Sequence, residues 1–416
     1  MDAAGLSSAV IAAPGAQIRF MTAGSVDDGK STLIGRLLLD SGALMRDQVD
    51  TLGAEDLANL TDGLEAERAQ GITIDVAYRY FATPQTSFVI ADAPGHEQYT
   101  RNMVTAASNS DLAVLVIDAT RVVDGVLRPQ TRRHATIAAL MGLDLIVAVN
   151  KMDALGWSQE RFEDVRAAVD DLAGGLGLRN VRCIPISAQR GDNVVRRGGA
   201  DWWAGPTLIE LIKRSHGARD FSNDRLRMPI QTLLRDGAKR LYAGRMESGV
   251  VRPGDTVAVG AAKTLAAVAR VCVAGRPAPM GVAGDSIAIE LTEERDAARG
   301  DVIADVGVRY VRSVTADLCW LDEDAWVKGR RYQFRQGALE TQALIEDVHF
   351  VRDVADLSER PAPASLRLND IASVRISTRD PILADLYRGG GGPGAFVLFD
   401  PQTNQTCAAG MIREAL

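Results

Sequence analysis

The sequence has 416 residues, a formal net charge of −7 and four cysteines that are far apart and form no C-x-x-C pair. The length predicts two or three domains, the mild acidity argues against broad non-specific nucleic-acid binding, and the cysteines indicate free thiols rather than disulfides or a zinc site. There is no signal peptide and no apolar run approaching about 18 residues, so we expect a soluble, cytoplasmic protein that does not bind membranes.

The first predicted strand runs from residue 17 to 23, after a small-residue segment, 1–16, that we expect to be a flexible tail. Gly24–Ser31 (GSVDDGKS) follows and matches the pattern G-x-x-x-x-G-K-[ST]. Residues 32–39 (TLIGRLLL) then carry apolar side chains at helical spacing. A strand, a glycine turn and a helix N-terminus together direct backbone N–H groups at an anion, so this segment predicts a phosphate-binding loop.

Within this loop each residue type has a chemical reason. Gly24 and Gly29 allow the turn and the close approach of phosphate, Lys30 reaches the β- and γ-phosphates, and the Ser31 hydroxyl ligates Mg²⁺. Further along, Thr73 beside Gly71 is the candidate for a threonine that ligates Mg²⁺ and senses the γ-phosphate. The alternative is that Thr73 only begins a strand over residues 74–81.

A predicted strand over residues 87–91 ends in Asp92-Ala-Pro-Gly-His96. Asp92 at this position can hold Mg²⁺, directly or through water, and the Gly95 N–H can meet a γ-phosphate. His96 follows at once, where it can orient an attacking water. The alternative reading of the segment is a simple D-x-P-G turn.

Two further strands, over residues 111–118 and 143–149, precede Asn150-Lys-Met-Asp153, and a strand over 181–186 precedes Ser187-Ala188. The Asp153 carboxylate can accept hydrogen bonds from N1–H and the 2-amino group of guanine, neither of which adenine offers. Asn150 can bridge base and loop, the Lys151 stem can cover one face of the base, and the Ser187-Ala188 backbone can contact guanine O6. The predicted base is therefore guanine.

Residues 17–215 thus read as an α/β domain whose functional residues follow successive strands, and residues 214–224 as a polar linker. Short β-prone runs separated by turns fill residues 226–312 and 313–416 and predict two β-barrels. The residues therefore predict an α/β P-loop domain followed by two all-β barrel domains. The histidines at 134, 216 and 349 are isolated in sequence, and we assign them to surface or core positions.

These motifs resemble the translational GTPase superfamily and, within it, the large GTP-binding subunits of bacterial sulfate adenylyltransferase. The resemblance implies the fold class of an α/β P-loop GTPase domain followed by two all-β barrel domains, an elongation-factor-like architecture. The segments that carry the resemblance are Gly24–Leu38 (GSVDDGKSTLIGRLL), residues 62–68, Gln70–Phe81, Gly95–Met103, Gln130–His134 and residues 205–208. Elongation factors typically have histidine where Ser25 stands and histidine or alanine at Asp28. Ala93 departs from the commoner threonine, but its side chain is not needed for phosphate contact.

The resemblance implies that the chain hydrolyses GTP with Mg²⁺ and couples this reaction to the formation of adenylylsulfate and pyrophosphate from ATP and sulfate. A separate, small catalytic subunit would carry out adenylyl transfer, and nucleic acid is not an expected partner. An elongation-factor-like GTPase that carries aminoacyl-tRNA and a regulator that binds GTP without turnover are the alternatives. Ser25, Asp28 and residues 62–81 argue against the first, and His96 and Thr73 against the second.

The predicted site comprises three sets of residues. The nucleotide-binding residues are Gly24, Ser25, Val26, Asp27, Asp28, Gly29, Lys30, Ser31, Thr32, Asp92, Ala93, Pro94, Gly95, His96, Asn150, Lys151, Met152, Asp153, Ser187 and Ala188. The magnesium ligands are Ser31, Thr73 and Asp92, and the catalytic residue is His96.

Overall fold

A computed structural model of the chain describes residues 16–43, 57, 75–84, 86–94, 100–178, 180–215, 221–353, 358–389 and 393–416. Several predicted features lie outside the described residues: the tail over residues 1–15, Thr73 with Gly71, Gly95 with His96, and His216. The chain divides into two compact units, residues 1–139 with 143–218 and residues 140–142 with 219–416.

The described helices and strands of the first unit alternate along the chain. The strands are β1 (Ala16–Ala23), β2 (Ala77–Thr83), β3 (Thr86–Asp92), β4 (Leu112–Asp118), β5 (Asp144–Asn150) and β6 (Arg182–Pro185). The α-helices are α1 (Lys30–Asp40), α2 (Thr100–Ser108), α3 (Pro129–Leu140), α4 (Gln159–Gly175) and α5 (Leu208–Ser215), with short 3-10 helices at Ala119–Arg121 and Met152–Leu155.

The six strands form one sheet in the order β2-β3-β1-β4-β5-β6. Only β2 is antiparallel to its neighbour, as its pairing with β3 shows. Every residue of β4 is buried, as expected of a parallel strand covered on both faces by helices. Because β1 has β3 on one side and β4 on the other, the chain reverses its direction of travel across the sheet at β1, where open α/β sheets bind ligands.

The sequence predicted strands β1 to β6 and helix α1, with small differences in bounds. The largest difference is β2, which begins at Ala77 rather than at residue 74. Its bounds follow from pairing, because the ladder to β3 runs from Ala77 opposite Asp92 to Thr83 opposite Thr86. Helix α1 buries Leu33, Leu37 and neighbouring apolar residues, as the helical spacing predicts.

The second unit is built almost entirely of antiparallel strands. Those of its first sheet and ribbon are β7 (Arg227–Pro229), β8 (Thr232–Asp236), β9 (Lys239–Arg245), β10 (Val250–Val251), β11 (Thr256–Val259), β12 (Thr264–Val273), β13 (Arg276–Ala278), β14 (Gly281–Val282), β15 (Ser286–Leu291) and β16 (Val302–Ala304). Those of its last sheet are β17 (Tyr310–Trp320), β18 (Arg331–Gln336), β19 (Leu339–Arg352), β20 (Glu359–Pro361), β21 (Ile371–Leu383), β22 (Ala395–Phe399) and β23 (Thr406–Ala415).

These strands make two sheets and a ribbon. The first sheet has the order β7-β16-β11-β12-β15-β9-β8, with β13 added to β12, and β10 pairs β14 separately. The last sheet has the order β18-β22-β23-β17-β21-β19-β20, and a further pairing of β18 with β19 closes six strands into a barrel. Closure removes free edges, which explains how strands with no helical cover stay paired. An α/β domain followed by two all-β domains is the predicted fold class, and the structure confirms it.

Each sheet of the second unit surrounds its own apolar core. Tyr242 and Met246 lie in the first core, whereas Trp320, Phe334 and Phe396 lie in the second. All four cysteines are free, as predicted. Across the described parts of the chain, no helix combines the length and apolar character needed to span a membrane.

Candidate nucleotide-binding site

The candidate site lies where the parallel strands of the first unit end. β1 leads into Gly24, β3 ends at Asp92, β4 at Asp118, and β5 at Asn150. Carboxyl ends of parallel strands share one edge of a sheet, so the loops that carry the predicted motifs meet there. The register agrees, because Thr22 is opposite Asp92 and Asp118 is opposite Asn150.

The loop between β1 and α1 has a backbone that glycine makes possible. Gly24 has a φ of 147° and Gly29, the N-cap of α1, has a φ of 94°. A Cβ on Gly24 would lie 2.5 Å from the Val116 carbonyl oxygen, and one on Gly29 would lie 2.4 Å from the Asn150 side-chain nitrogen. Any side chain at either position would therefore displace the strand or the loop that it faces.

Lys30 is held inside this loop. Its Nζ donates to the Gly24 carbonyl at 3.0 Å and to the Ser25 carbonyl at 2.8 Å, and the side chain is buried. Burial lowers the pKa of Lys30, although the nearby Asp92 and Asp28 favour its charged form. An ammonium fixed at this point can counter the charge of an anion bound by the loop.

Asp28 stabilises the phosphate loop through a hydrogen bond inside the loop. Its Oδ2 accepts from the Ser25 N–H at 2.7 Å, while its Oδ1 is buried and has no hydrogen-bond partner in the described structure. Burial raises the pKa of Asp28, against the opposing influence of the Ser25 hydrogen bond and of Lys30. The two positions that distinguish this sequence from elongation factors therefore contact each other.

Asn150 joins three loops. Its side-chain nitrogen donates to the Asp28 carbonyl at 2.8 Å, and its side-chain oxygen accepts from the Ala188 N–H at 2.9 Å. Asn150 is buried, so both hydrogen bonds are shielded from water. The side chain thus ties the phosphate loop to the Ser187-Ala188 segment that was predicted to contact the base.

Lys151 and Asp118 make a second link to the phosphate loop. The Lys151 Nζ donates to the Asp27 carbonyl at 2.8 Å and to the Asp118 Oδ2 at 2.7 Å. Although burial opposes it, hydrogen bonds from Lys151 and Thr120 keep the pKa of Asp118 below its ordinary value. These contacts direct the Lys151 side chain towards the phosphate loop.

Asp153 and Ser187 both meet Arg190. The Asp153 carboxylate pairs with the Arg190 guanidinium at 3.4 Å, and the Ser187 Oγ accepts from the Arg190 N–H at 3.2 Å. Met152 is fully buried in the short 3-10 helix between Lys151 and Asp153. The Asp153 side chain is one-fifth exposed, so its carboxylate is accessible to a ligand.

Asp92 lies beside the phosphate loop on the neighbouring strand. Its Oδ1 accepts from the Thr22 hydroxyl at 3.0 Å, and the Ala93 N–H donates to the Thr22 carbonyl at 3.3 Å. Asp92, Ala93 and Pro94 are all buried, and Ser31 is half-buried at the start of α1. A carboxylate and a hydroxyl at one edge supply the hard oxygen donors that Mg²⁺ prefers, so these residues fit a magnesium site.

The remaining predicted residues divide into those described and those not described. Val26 and Thr32 are half-buried in and after the loop, and Asp27 is exposed. Thr73, Gly95 and His96 lie outside the described residues. Among the residues that the structure does describe, no three His, Cys, Asp or Glu side chains cluster as metal ligands. Ser31 and Asp92 would not be found by such a search, because the pair contains a single carboxylate.

One residue at the site was not predicted to act there. His134, on α3, is buried, and its Nδ1 accepts from the Gly24 N–H at 3.0 Å. Its Nε2 lies 2.9 Å from the side-chain nitrogen of Gln130. Burial, with Lys30 and Arg133 nearby, lowers the pKa of His134 to about 3. The only sequence signal was the spacing of Gln130 and His134, which places both on one face of a helix.

Comparison with known families supports the architecture. The model of the elongation factor Tu GTP binding domain matches residues 16–235, more than half of the chain. The GTP-eEF1A C-terminal domain-like family matches residues 313–413. A crystal structure of Sup35 complexed with GDP aligns with 97% of this chain and 95% of that chain, at 23% identity and a TM-score of 0.46.

Two relatives indicate the family more closely. Sulfate adenylyltransferase subunit 1 of Vibrio vulnificus (strain CMCP6) is 42% identical over 416 residues, which cover 96% of this chain and 86% of the relative. The bifunctional enzyme NodQ of Rhizobium sp. (strain N33) is 41% identical over 415 residues, covering 96% of this chain. The match spans only 64% of the length of NodQ.

Proposed function

Since the chain belongs to the sulfate adenylyltransferase subunit 1 family and carries the elongation factor Tu GTP binding domain, we propose that it is a GTPase subunit of a sulfate adenylyltransferase. GTP hydrolysis on this chain drives the formation of adenylylsulfate and pyrophosphate from ATP and sulfate. Adenylyl transfer takes place on a separate, small catalytic subunit. The complex works in the cytoplasm, with no role for nucleic acid or membranes.

The observation that carries the nucleotide assignment is the double hydrogen bond of Asn150. The Asn150 side chain connects the Asp28 carbonyl of the phosphate loop, at 2.8 Å, to the Ala188 N–H, at 2.9 Å. These residues are far apart in the chain and are brought together by the fold. The segment predicted to bind phosphate and the segment predicted to contact the base are thus joined through one side chain, which is the arrangement that a nucleotide site requires. The Asp153 carboxylate then selects guanine, since the N1–H and 2-amino group of guanine can donate to it and adenine offers neither donor.

Different residues of the site would bind the phosphates, the magnesium ion and the attacking water. Lys30 and the loop N–H groups would bind the β- and γ-phosphates, and Ser31 and Asp92, with Thr73, would hold Mg²⁺. The ion, when bound, neutralises charge on the phosphate oxygens. His96 orients the attacking water. Such GTPases are slow by themselves and gain about 10³- to 10⁵-fold when a partner supplies or orders a group, which is a physical route to coupling.

The experiment is pyrophosphate release from ATP and sulfate by the protein co-purified with its natural partner, with and without GTP. We expect release that requires sulfate and rises at least tenfold with GTP. The Asp153→Asn variant in the same complex tests whether the stimulation depends on GTP binding to this chain. It should lose the GTP stimulation and keep the rate of pyrophosphate release that is measured without GTP. Sulfate-independent release, or tRNA in place of a partner subunit, would reject the proposal.

A further inference from the structure

We propose that His134 is a positioning residue of the phosphate loop: its neutral imidazole fixes the Gly24 peptide so that the loop is built for phosphate before nucleotide arrives. The inference rests on the proposed nucleotide binding and adds a residue from helix α3 to it. His134 lies 110 positions from Gly24 along the chain, and no sequence motif of the site includes both.

The geometry places Gly24 between two side chains. Its N–H donates to the His134 Nδ1 at 3.0 Å, and its carbonyl accepts from the Lys30 Nζ at 3.0 Å. The φ of 147° and the Val116 carbonyl behind the Cα leave this residue little freedom. The two hydrogen bonds therefore fix the orientation of the first residue of the loop and, through its carbonyl, the position of the lysine ammonium.

The hydrogen bond requires one protonation state of the imidazole. Nδ1 can accept from Gly24 only when it carries no proton, so the single proton is on Nε2. The atom of Gln130 nearest to Nε2 is its side-chain nitrogen, at 2.9 Å. Turning the Gln130 amide by 180° exchanges its nitrogen and oxygen, and the oxygen can then accept from the Nε2 proton. In that orientation Gln130 supports the tautomer that leaves Nδ1 free for the phosphate loop.

Removing the His134 Nδ1 acceptor would lower the population of the loop conformation that binds nucleotide. Without it the Gly24 N–H is buried and unpaired, or the loop moves to pair it elsewhere. The apparent dissociation constant of a ligand rises in inverse proportion to the fraction of protein in the binding-competent state. Removing the acceptor should therefore weaken GDP and GTP together, because both use the same loop.

The test compares three substitutions at His134 in the full-length chain. An Asn oxygen is bonded to Cγ, as Nδ1 is, and can accept from Gly24, whereas a Gln oxygen is one bond further away and a Leu side chain offers none. We expect His134→Leu and His134→Gln to raise the Kd of fluorescent GDP and GTP analogues at least tenfold, and His134→Asn to stay within threefold of wild type. The same order should appear in KM for GTP, with kcat changed less than threefold. The matched control is His349→Leu at an exposed histidine of β19, which should change nothing.

The outcomes separate the two proposals. Equal nucleotide affinity of wild type and folded His134→Leu overturns the inference, as does His134→Asn binding as weakly as His134→Gln. If the Leu variant fails to fold, the comparison of Asn with Gln decides, because both are polar and similar in size to histidine. Wild-type protein that binds no guanine nucleotide would instead reject the proposed function.

Discussion

The Asn150 side-chain amide donates to the Asp28 carbonyl at 2.8 Å, although 122 positions separate the two residues in the chain. The bond forms because β5 and β1 are parallel strands of one sheet and end at the same edge, with β4 between them. Asn150 is thus a structural part of the phosphate loop as well as the first residue of the predicted base-recognition motif. Its second hydrogen bond, to Ala188, extends the link to a third loop.

The Asn150→Ala substitution should weaken GDP binding by about 10- to 100-fold, because it leaves the buried Asp28 carbonyl and Ala188 N–H without partners. Equilibrium titration with a fluorescent GDP analogue measures the effect. Asn223→Ala, at an exposed asparagine in the second unit, is the control and should bind like wild type. An Asn150→Ala variant with unchanged affinity would show that the loop link does not contribute to binding.

The Asp153→Asn substitution should change which base is bound. Two hydrogen bonds from guanine to a carboxylate are lost, so we expect GDP affinity to fall by roughly 100-fold or more. The asparagine N–H can instead donate to the 2-carbonyl of xanthine, so affinity for xanthosine diphosphate should rise. Competition between the two nucleotides gives the ratio directly, with Asp171→Asn on the exposed face of α4 as the control. A fall in GDP affinity with no gain for the xanthine nucleotide would contradict guanine recognition by Asp153.

His134 should make the stability of the protein depend on pH. The ordinary pKa of histidine is 6.5, and burial lowers that of His134 to about 3, so the unfolded chain binds the proton and the folded chain does not. The stability contributed by the neutral form is complete above pH 6.5 and is lost as the pH falls below it. From pH 8 to pH 6 the free energy of unfolding should drop by about 0.8 kcal/mol on account of this group.

Urea denaturation of wild type and His134→Asn at both pH values isolates that contribution, because asparagine does not titrate. The range stops at pH 6 to stay above the isoelectric point near 5.3. We expect the loss between the two pH values to be smaller in the variant by the stated amount. Equal losses in the two proteins would mean that His134 is protonated in the folded chain or exposed to water.

Arg227 should be a main contributor to the stability of the second unit. Its buried guanidinium pairs with Asp385 through Nε–Oδ2 at 2.6 Å and Nη2–Oδ1 at 2.8 Å, and also contacts Asp305. The hydrogen bonds to Asp385 and Asp305 raise the pKa of Arg227, against the effect of burial. Arg227→Ala should cost about 2–4 kcal/mol, since it leaves two half-buried carboxylates without their cation.

The stability of this unit is measured by denaturation, followed by tryptophan fluorescence in a background where Trp157, Trp202 and Trp203 of the first unit are replaced by Phe, so that the signal comes from Trp320 and Trp326. Arg227→Lys keeps the charge but not the planar fork, and should lose an intermediate amount. The control is Arg335→Ala, which breaks an exposed pair with Glu340 and should cost less than about 1 kcal/mol. If Arg227→Ala were no more destabilising than this control, the buried pairs would contribute no net stability.

The sequence predicted the architecture because its signals are local. Glycine spacing, a lysine and a serine at a strand-to-helix junction predict a phosphate loop without reference to the rest of the chain. Apolar runs of strand length predict β4 and β5 in the same way. The family matches confirm both the fold class and the resemblance to large subunits of sulfate adenylyltransferase.

The first and last residues of a strand depend on which strand it pairs with, and the sequence does not show the partner. β2 begins three residues later than predicted because Asp92, at the end of β3, is its last partner. Closure of the last barrel likewise depends on β18 pairing with both β19 and β22, and the latter lies far along the chain. A periodicity of two shows that a strand exists, but not which strand it pairs with.

By itself, the sequence determined the chemical groups of the site: a lysine, a serine, an aspartate and an N-K-x-D segment, each following a strand. The tertiary structure decided which of these groups touch. His134 and Gly24 are 110 positions apart in the chain. They make contact because α3 buries the helix face that carries His134. Local patterns specify residue types and elements, whereas contacts at such separations follow from the alignment of strand ends and the burial of helix faces.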